Sequence, residues 1–211
     1  MLFAANVDMK QLAAILFLLF PTVAIAQQYR LTYDVSTIPE LYLQTTISLE
    51  EKRGTSYERY SGKYRISSQQ GSLRGLDFSY MEDDLLKTNG SFLFTVEVRG
   101  EKLQLPLKVP MLTALRFNFY TDSIKPILNY YLNVEGVFSS GKILPLSATH
   151  VTVTSDVGAV QEMEWIAPKQ RNFEKVKFTA VSKSHPSIKT DAIVYLKKEV
   201  DPRDAENYNG R

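Results

Sequence analysis

Along most of this chain apolar and polar residues trade places at every second position, the period of a strand with one buried and one solvated face. The opening stretch sets Tyr29, Leu31, Tyr33 and Val35 against Arg30, Thr32 and Asp34. Further on, Phe92, Phe94, Val96 and Val98 alternate with Leu93, Thr95, Glu97 and Arg99, a turn falls at Gly100, and Leu103, Leu105, Leu107 and Val109 return, which predicts a hairpin. More strands are predicted near residues 115–120, 130–138, 150–154, 163–166, 176–181 and 192–196. Gly54, Gly71, Gly75, Asn89-Gly90, Gly100, Gly141, Gly158 and Pro168 punctuate the chain at roughly the 8–12-residue spacing of a β-sandwich. No helical pattern of roughly 10–15 residues separates the strands, which argues against a parallel α/β sheet. Single helical turns fit residues 38–43 and 81–86.

The alternation is lost at both ends. Leu12 to Phe20 is an unbroken apolar run, Pro21 follows, and Ala24-Ile25-Ala26 places small residues where a signal peptidase cuts. Residues 1–26 are therefore expected to be a signal peptide cleaved after Ala26, with Gln27 first in the mature chain. The apolar stretch is shorter than the roughly 20 residues that span a bilayer, so no transmembrane segment is expected in the mature chain. Lys10 follows Met9 directly, which makes Met9 a candidate initiator. Residues 199–211 are polar and charged and read as a tail or linker. Between the ends, about 185 residues and about a dozen strands exceed one seven-stranded sandwich. The expectation is an all-β, antiparallel β-sandwich chain of two domains, residues 27–110 and 111–198, divided near Pro110, where a strand ends and a new alternation begins.

Composition narrows the chemistry. The formal charge is +2, with cations and anions interleaved, so there is no electrostatic footprint for nucleic acid. The chain has no cysteine, which excludes disulfides, thiolate nucleophiles, cysteine-ligated metals and a lipid-anchored cysteine. For an exported chain this leans toward a bacterial source.

The order of features from Asn129 onward is Tyr131-Leu132-Asn133-Val134, Ser140-Gly141-Lys142, Val151-Thr152-Val153-Thr154-Ser155-Asp156 with Gly158, Trp165-Ile166-Ala167-Pro168, Val176-Lys177-Phe178-Thr179-Ala180 and Ala192-Ile193-Val194-Tyr195-Leu196. This order resembles the bacterial immunoglobulin-like domains of surface proteins, the invasin and intimin type among them. The resemblance covers roughly residues 111–198 and departs from that family in the insertion from Pro168 to Phe173. It implies an immunoglobulin-like sandwich used in adhesins, surface stalks and accessory domains without catalysis, with the aromatic of the Trp165 corner packed inward. Residues 27–110 carry no such mark.

Candidate reactive groups are few. The histidines are His150, expected on the solvated side of a strand, and His185, in a loop before Pro186. No G-x-S-x-G elbow accompanies them, so no catalytic residue is assigned. No cofactor or metal site is assigned either; Glu82, Asp83 and Asp84 lack the spacing of a calcium loop and read as a solvated acidic turn. Tyr57, Tyr60 and Tyr64 lie among Arg59, Lys63 and Arg65. Aromatic platforms with polar neighbours grip sugars and peptides, so these three are the candidate ligand-binding residues. The competing account is cross-strand packing, because Tyr60 and Tyr64 share a parity that Tyr57 does not.

The sequence thus points to an exported, non-enzymatic binding or structural module at the cell surface, in the periplasm or secreted, with a protein or glycan of the cell envelope as partner. The alternatives are an exported hydrolase or accessory subunit of a carbohydrate-active enzyme, and a periplasmic assembly component acting through a sheet edge.

Overall fold

A computed structural model describes residues 28–121, 123–125, 129–169 and 172–197. The expected signal peptide with its cleavage site, and the expected tail at 199–211, lie outside these residues. The described chain is dominated by β-strands, antiparallel except for one two-residue parallel pairing in its second half. It separates into two compact units, with the division between Met111 and Leu112.

In the first unit, strands β1 (Tyr29–Tyr33), β2 (Gln44–Arg53), β6 (Asp77–Ser79) and β5 (Ser72–Arg74) pair in that order, with β3 (Ser56–Arg59) also on β2. A second sheet runs β4 (Tyr64–Ser68), β7 (Ser91–Val98), β8 (Glu101–Lys108). The predicted hairpin is β7–β8, turning on Arg99-Gly100 with both residues at positive φ, as a two-residue type I′ turn requires. Every second side chain enters the core: Phe92, Phe94, Val96 and Val98 from β7 meet Leu103, Leu105 and Leu107 from β8. The sheets are held together by aromatic edges, since Phe78 of β6 lies 5.1 Å from Phe92 and 4.9 Å from Phe94, ring centre to ring centre. Such pairs contribute about 0.5–1.5 kcal/mol beyond the area they bury.

The first strand is shorter than its alternation predicts. Asp34 accepts hydrogen bonds from the backbone N–H and hydroxyl of Ser36, capping a 3₁₀ turn at Val35–Thr37 that leaves Val35 exposed. Helix α1 (Pro39–Tyr42) follows, and α2 (Glu82–Lys87) lies between β6 and β7.

Among the described residues the second unit contains three sheets. One is β9 (Leu112–Phe117), β12 (Val134–Phe138), β13 (Ile143–Leu146), with β12 central. Another runs β10 (Ser123–Ile124), β18 (Lys189–Leu196), β17 (Lys175–Ser182), β14 (Val151–Ser155). The third is β11 (Tyr130–Tyr131), β16 (Glu164–Ile166), β15 (Ala159–Gln161). Phe117 of β9 and Phe178 of β17 meet at 6.3 Å, and Trp165 of β16 sets its edge against Phe178 at 5.9 Å. Trp165 is fully buried, and its indole N–H donates to the Val157 carbonyl at 2.7 Å. A buried indole needs such a partner, because an unmatched donor would cost its desolvation. Gly158, at φ +78°, leaves the space: a Cβ there would stand 2.7 Å from the indole nitrogen and 2.6 Å from the Ile166 carbonyl oxygen.

Candidate functional site

The alternation of β2 places Thr45, Ile47, Leu49 and Glu51 on the core side, so a carboxylate occupies the fourth inward position, almost wholly buried. Its neighbours explain how it is tolerated. Arg99 donates to Glu51 at 2.9 Å, the Tyr29 hydroxyl and the Gln28 amide each donate at 3.3 Å, and Arg53 stands 3.8 Å away. A buried charge persists only when it is paired and hydrogen-bonded in this way. The Tyr60 hydrogen bond, then the charges of Tyr29 and Glu51, raise the Arg99 pKa above its ordinary value. Burial is the chief cause that raises the Tyr29 hydroxyl. This network pins the Arg99-Gly100 turn to the end of β2.

Beside that turn the two sheets of the first unit part. β4 is the outer strand of its sheet and β5 the outer strand of the other. A tight turn at Gln69–Gly71 links them, closed by the Ser68 hydroxyl donating to the Gln70 carbonyl and accepting from the Gln70 N–H. No ladder joins β4 to β5: β4 pairs only with β7, and β5 only with β6. The gap is a solvent-open groove of about 940 Å³. Its lining includes Lys63, Tyr64, Arg65 and Ile66 on one bank, Leu73, Gly75 and Leu76 on the other, and Glu97, Arg99 and Gly100 at the end. Tyr64, Ile66 and Leu73 pack against the core, whereas Lys63 and Arg65 are exposed. Neither Lys63 nor Arg65 makes an ion pair among the described residues.

The three candidate tyrosines do not form one platform. Tyr57, on β3, lies under the guanidinium of Arg30 at 4.1 Å. Tyr60 is wedged between Tyr29, 5.8 Å away edge-on, and Tyr64 at 6.1 Å, with Arg99 over its ring at 5.7 Å. Of the three, Tyr64 lines the groove. Tyr60 and Tyr64 meet although they share no strand: β3 ends at Arg59, the chain bends at Gly62, and β4 begins at Tyr64. Tyr60 folds back over Gly62 so closely that a Cβ there would lie 2.3 Å from its hydroxyl oxygen. Their shared parity in sequence is therefore not the cause of the contact.

The histidines sit in local motifs. His150 is in a turn just before β14, not on the strand as its sequence suggested, because its backbone N–H closes the turn onto the Ser147 carbonyl at 2.9 Å. Its Nδ1 lies 3.0 Å from the Ser147 hydroxyl, and the His185 Nδ1 lies 2.7 Å from the Ser187 hydroxyl. A Ser–His nucleophile also needs a third group that orients the imidazole, and no carboxylate bonds either ring among the described residues. Glu82, Asp83 and Asp84 occupy the first turn of α2, where negative charge is favoured by the helix dipole. No cluster of three or more metal-ligating side chains occurs among the described residues, and no helix among them is long and apolar enough to cross a membrane.

The signals that sequence reasoning passed over are the burial of Glu51 and its pairing with Arg99. For Glu51 the clue was present: it continues the inward parity of Thr45, Ile47 and Leu49.

No protein-family model matches the chain, and no curated protein matches it in sequence. Among solved structures it is similar to domains 4 and 5 of the S-layer protein SbsC, at 16% identity and a TM-score of 0.32, over 80% of this chain and 96% of that one. It is also similar to a tandem of titin immunoglobulin domains, at 11% identity and a TM-score of 0.27, over 80% of this chain and 88% of that one. At these values the likeness bears on neither ligand nor partner.

Proposed function

We propose that this chain is an exported, non-enzymatic binding module of the bacterial cell envelope, and that its working surface is the groove between β4 and β5. The observation that carries the reading is the combination of that groove with Lys63 and Arg65, two exposed cations on its bank that make no ion pair among the described residues. Export is supported by the apolar run and small residues before Gln27. Residues 28–111 and 112–197 act as separate domains, each supported by its own core. The second is a spacer or accessory sandwich of the immunoglobulin-like kind that its sequence resembles. A groove with apolar depth and a cationic rim favours an anionic partner carrying apolar groups.

The test is retention of the exported protein on immobilised anionic glycans and acidic peptides, beside the double variant Lys63→Gln, Arg65→Gln. The reading expects at least one anionic probe to hold the native protein and release the variant. Equal behaviour of both proteins on every probe would remove the groove from the account.

A further inference from the structure

The register of the first unit fixes where the free backbone groups of the groove point. Val98 and Glu101 flank the two-residue Arg99-Gly100 turn, so they are the hydrogen-bonded pair that closes it and Val98 directs its N–H and C=O to β8. Its partner across the other edge is Tyr64. The alternation of an antiparallel ladder then makes Tyr64–Val98 and Ile66–Val96 pairs without mutual bonds, and Arg65–Glu97 the bonded one. The N–H and C=O of Tyr64 and Ile66 are thereby aimed away from β7, into the groove. The same argument on β5, where Arg74 and Asp77 close the turn at Gly75-Leu76, aims the backbone of Leu73 at the groove from the opposite bank. Among the described residues these groups have no backbone partner.

Building on the reading of the groove as the binding surface, we infer that it accepts an extended acidic peptide, which adds to β4 as an extra strand. Backbone bonds to Tyr64 and Ile66 would supply the attachment, the mode in which main-chain hydrogen bonds give affinity and alternate side chains give specificity. The space suffices. A strand residue occupies about 160 Å³, from a rise of about 3.3 Å, a strand spacing of about 4.8 Å and a sheet spacing of about 10 Å, so the groove holds roughly five or six residues. Alternate ligand side chains fall toward Ile66 and Leu73 and should be apolar. The others fall beside Lys63 and Arg65 and should be acidic. A second copy of this chain fits less well, because two β4 edges brought together would set Lys63 and Arg65 against the same cations, and like charges opposed across a ladder are destabilising. Cations on an edge strand deter self-pairing in this way and leave an acidic strand welcome.

The probe is a capped heptapeptide alternating glutamate and valine, titrated calorimetrically into the exported protein. A second peptide carries N-methyl groups on the amides that would face β4, and a third has lysine for glutamate. The inference expects binding of the first, at least about tenfold weaker binding of the N-methylated form because two or more backbone bonds are lost, and no binding of the lysine form. Amide hydrogen exchange at Tyr64 and Ile66 should slow in the complex. Arg65→Gln with Lys63→Gln should weaken binding at least about tenfold with an unchanged melting temperature. Equal binding of the methylated peptide, or a sulfated oligosaccharide bound in its place and lost in the same variant, would overturn strand addition while leaving the groove as the binding surface. Binding that survives the charge variant with no protection at Tyr64 would overturn both readings, as would binding of no probe at all. A dimer in size-exclusion chromatography that the acidic peptide leaves intact and the charge variant tightens would make the occupant a second copy and overturn the inference.

Discussion

The two units of this chain are both β-sheet structures of similar length, and both tie neighbouring strands with ion pairs, yet among the described residues only the first buries carboxylates, Glu40 and Glu51. In the second unit the described ion pairs tie neighbouring strands together: Arg116 of β9 bonds Glu135 of β12 at 2.6 Å, with Asn118 adding a bond at 2.8 Å, and Lys177 of β17 meets Asp191 of β18 at 2.8 Å. In the first unit Arg30 of β1 bonds Glu50 of β2 in the same way at 2.6 Å, but the buried Glu51 also draws Arg99 and Arg53, and Lys63 and Arg65 on one bank of the groove make no ion pair among the described residues. The cores are alike. Phe178 collects rings from three directions in the second unit, and Phe78 does so in the first, from Tyr80, Phe92 and Phe94. The proposed role of the first unit in recognition rests on the groove at its free sheet edge and the two cations on its bank.

The largest test of this comparison is the removal of one fully buried ring from each core. Trp165→Ala should cost about 3–5 kcal/mol and Phe94→Ala the same. As the only tryptophan, Trp165 reports on the second unit alone: its emission should be blue-shifted and poorly quenched by iodide. In Phe94→Ala its unfolding midpoint should hold while circular dichroism shows an earlier transition. One shared midpoint for both signals would mean a single cooperative body in place of two domains.

A smaller effect is expected from Gly158→Ala. The new methyl would press on the indole nitrogen and the Ile166 carbonyl at a positive φ, and overpacking with strain costs about 1–3 kcal/mol, read as a lower melting point of the tryptophan signal. Wild-type stability would show that the corner yields freely.

Acid should weaken the second unit through Glu135. The Asn118 hydrogen bond first, and Arg116 with it, hold this carboxyl below its ordinary value of 4.5. Its stabilisation is therefore complete above that value and lost as pH falls through the lower folded one. Glu135→Gln should flatten the loss of stability below about pH 4.5, followed by tryptophan emission; an unaltered acid limb would assign the loss to other carboxylates. The smallest effect belongs to Lys63→Gln with Arg65→Gln, which should change stability by no more than about 0.5 kcal/mol, since both side chains are exposed and neither makes an ion pair among the described residues.

What the sequence made legible was local. The β7–β8 hairpin and the inward Trp165 follow from period two and from where the polar neighbours fall, and both are found. The early end of β1 was hidden because Asp34 caps a turn that interrupts an otherwise intact alternation. The short strands β3 to β6 span too few residues each to show a period. The groove was invisible for a deeper reason: it exists because β4 and β5 belong to different sheets, and strand pairing is decided by contacts remote in sequence. Tyr64 was singled out as an aromatic among cations, but the free edge it belongs to could be read only once its partner, Val98, was known.

The measurement that meets the central claim most directly is the mapping of chemical-shift changes in the isotope-labelled exported protein during titration with the acidic heptapeptide. The account predicts changes concentrated at residues 62–66, 73–76 and 97–100, with the second unit undisturbed. Changes centred instead on the second unit, around Tyr131 and Glu162 to Glu164, would contradict it and move recognition to the unit assigned here to structure.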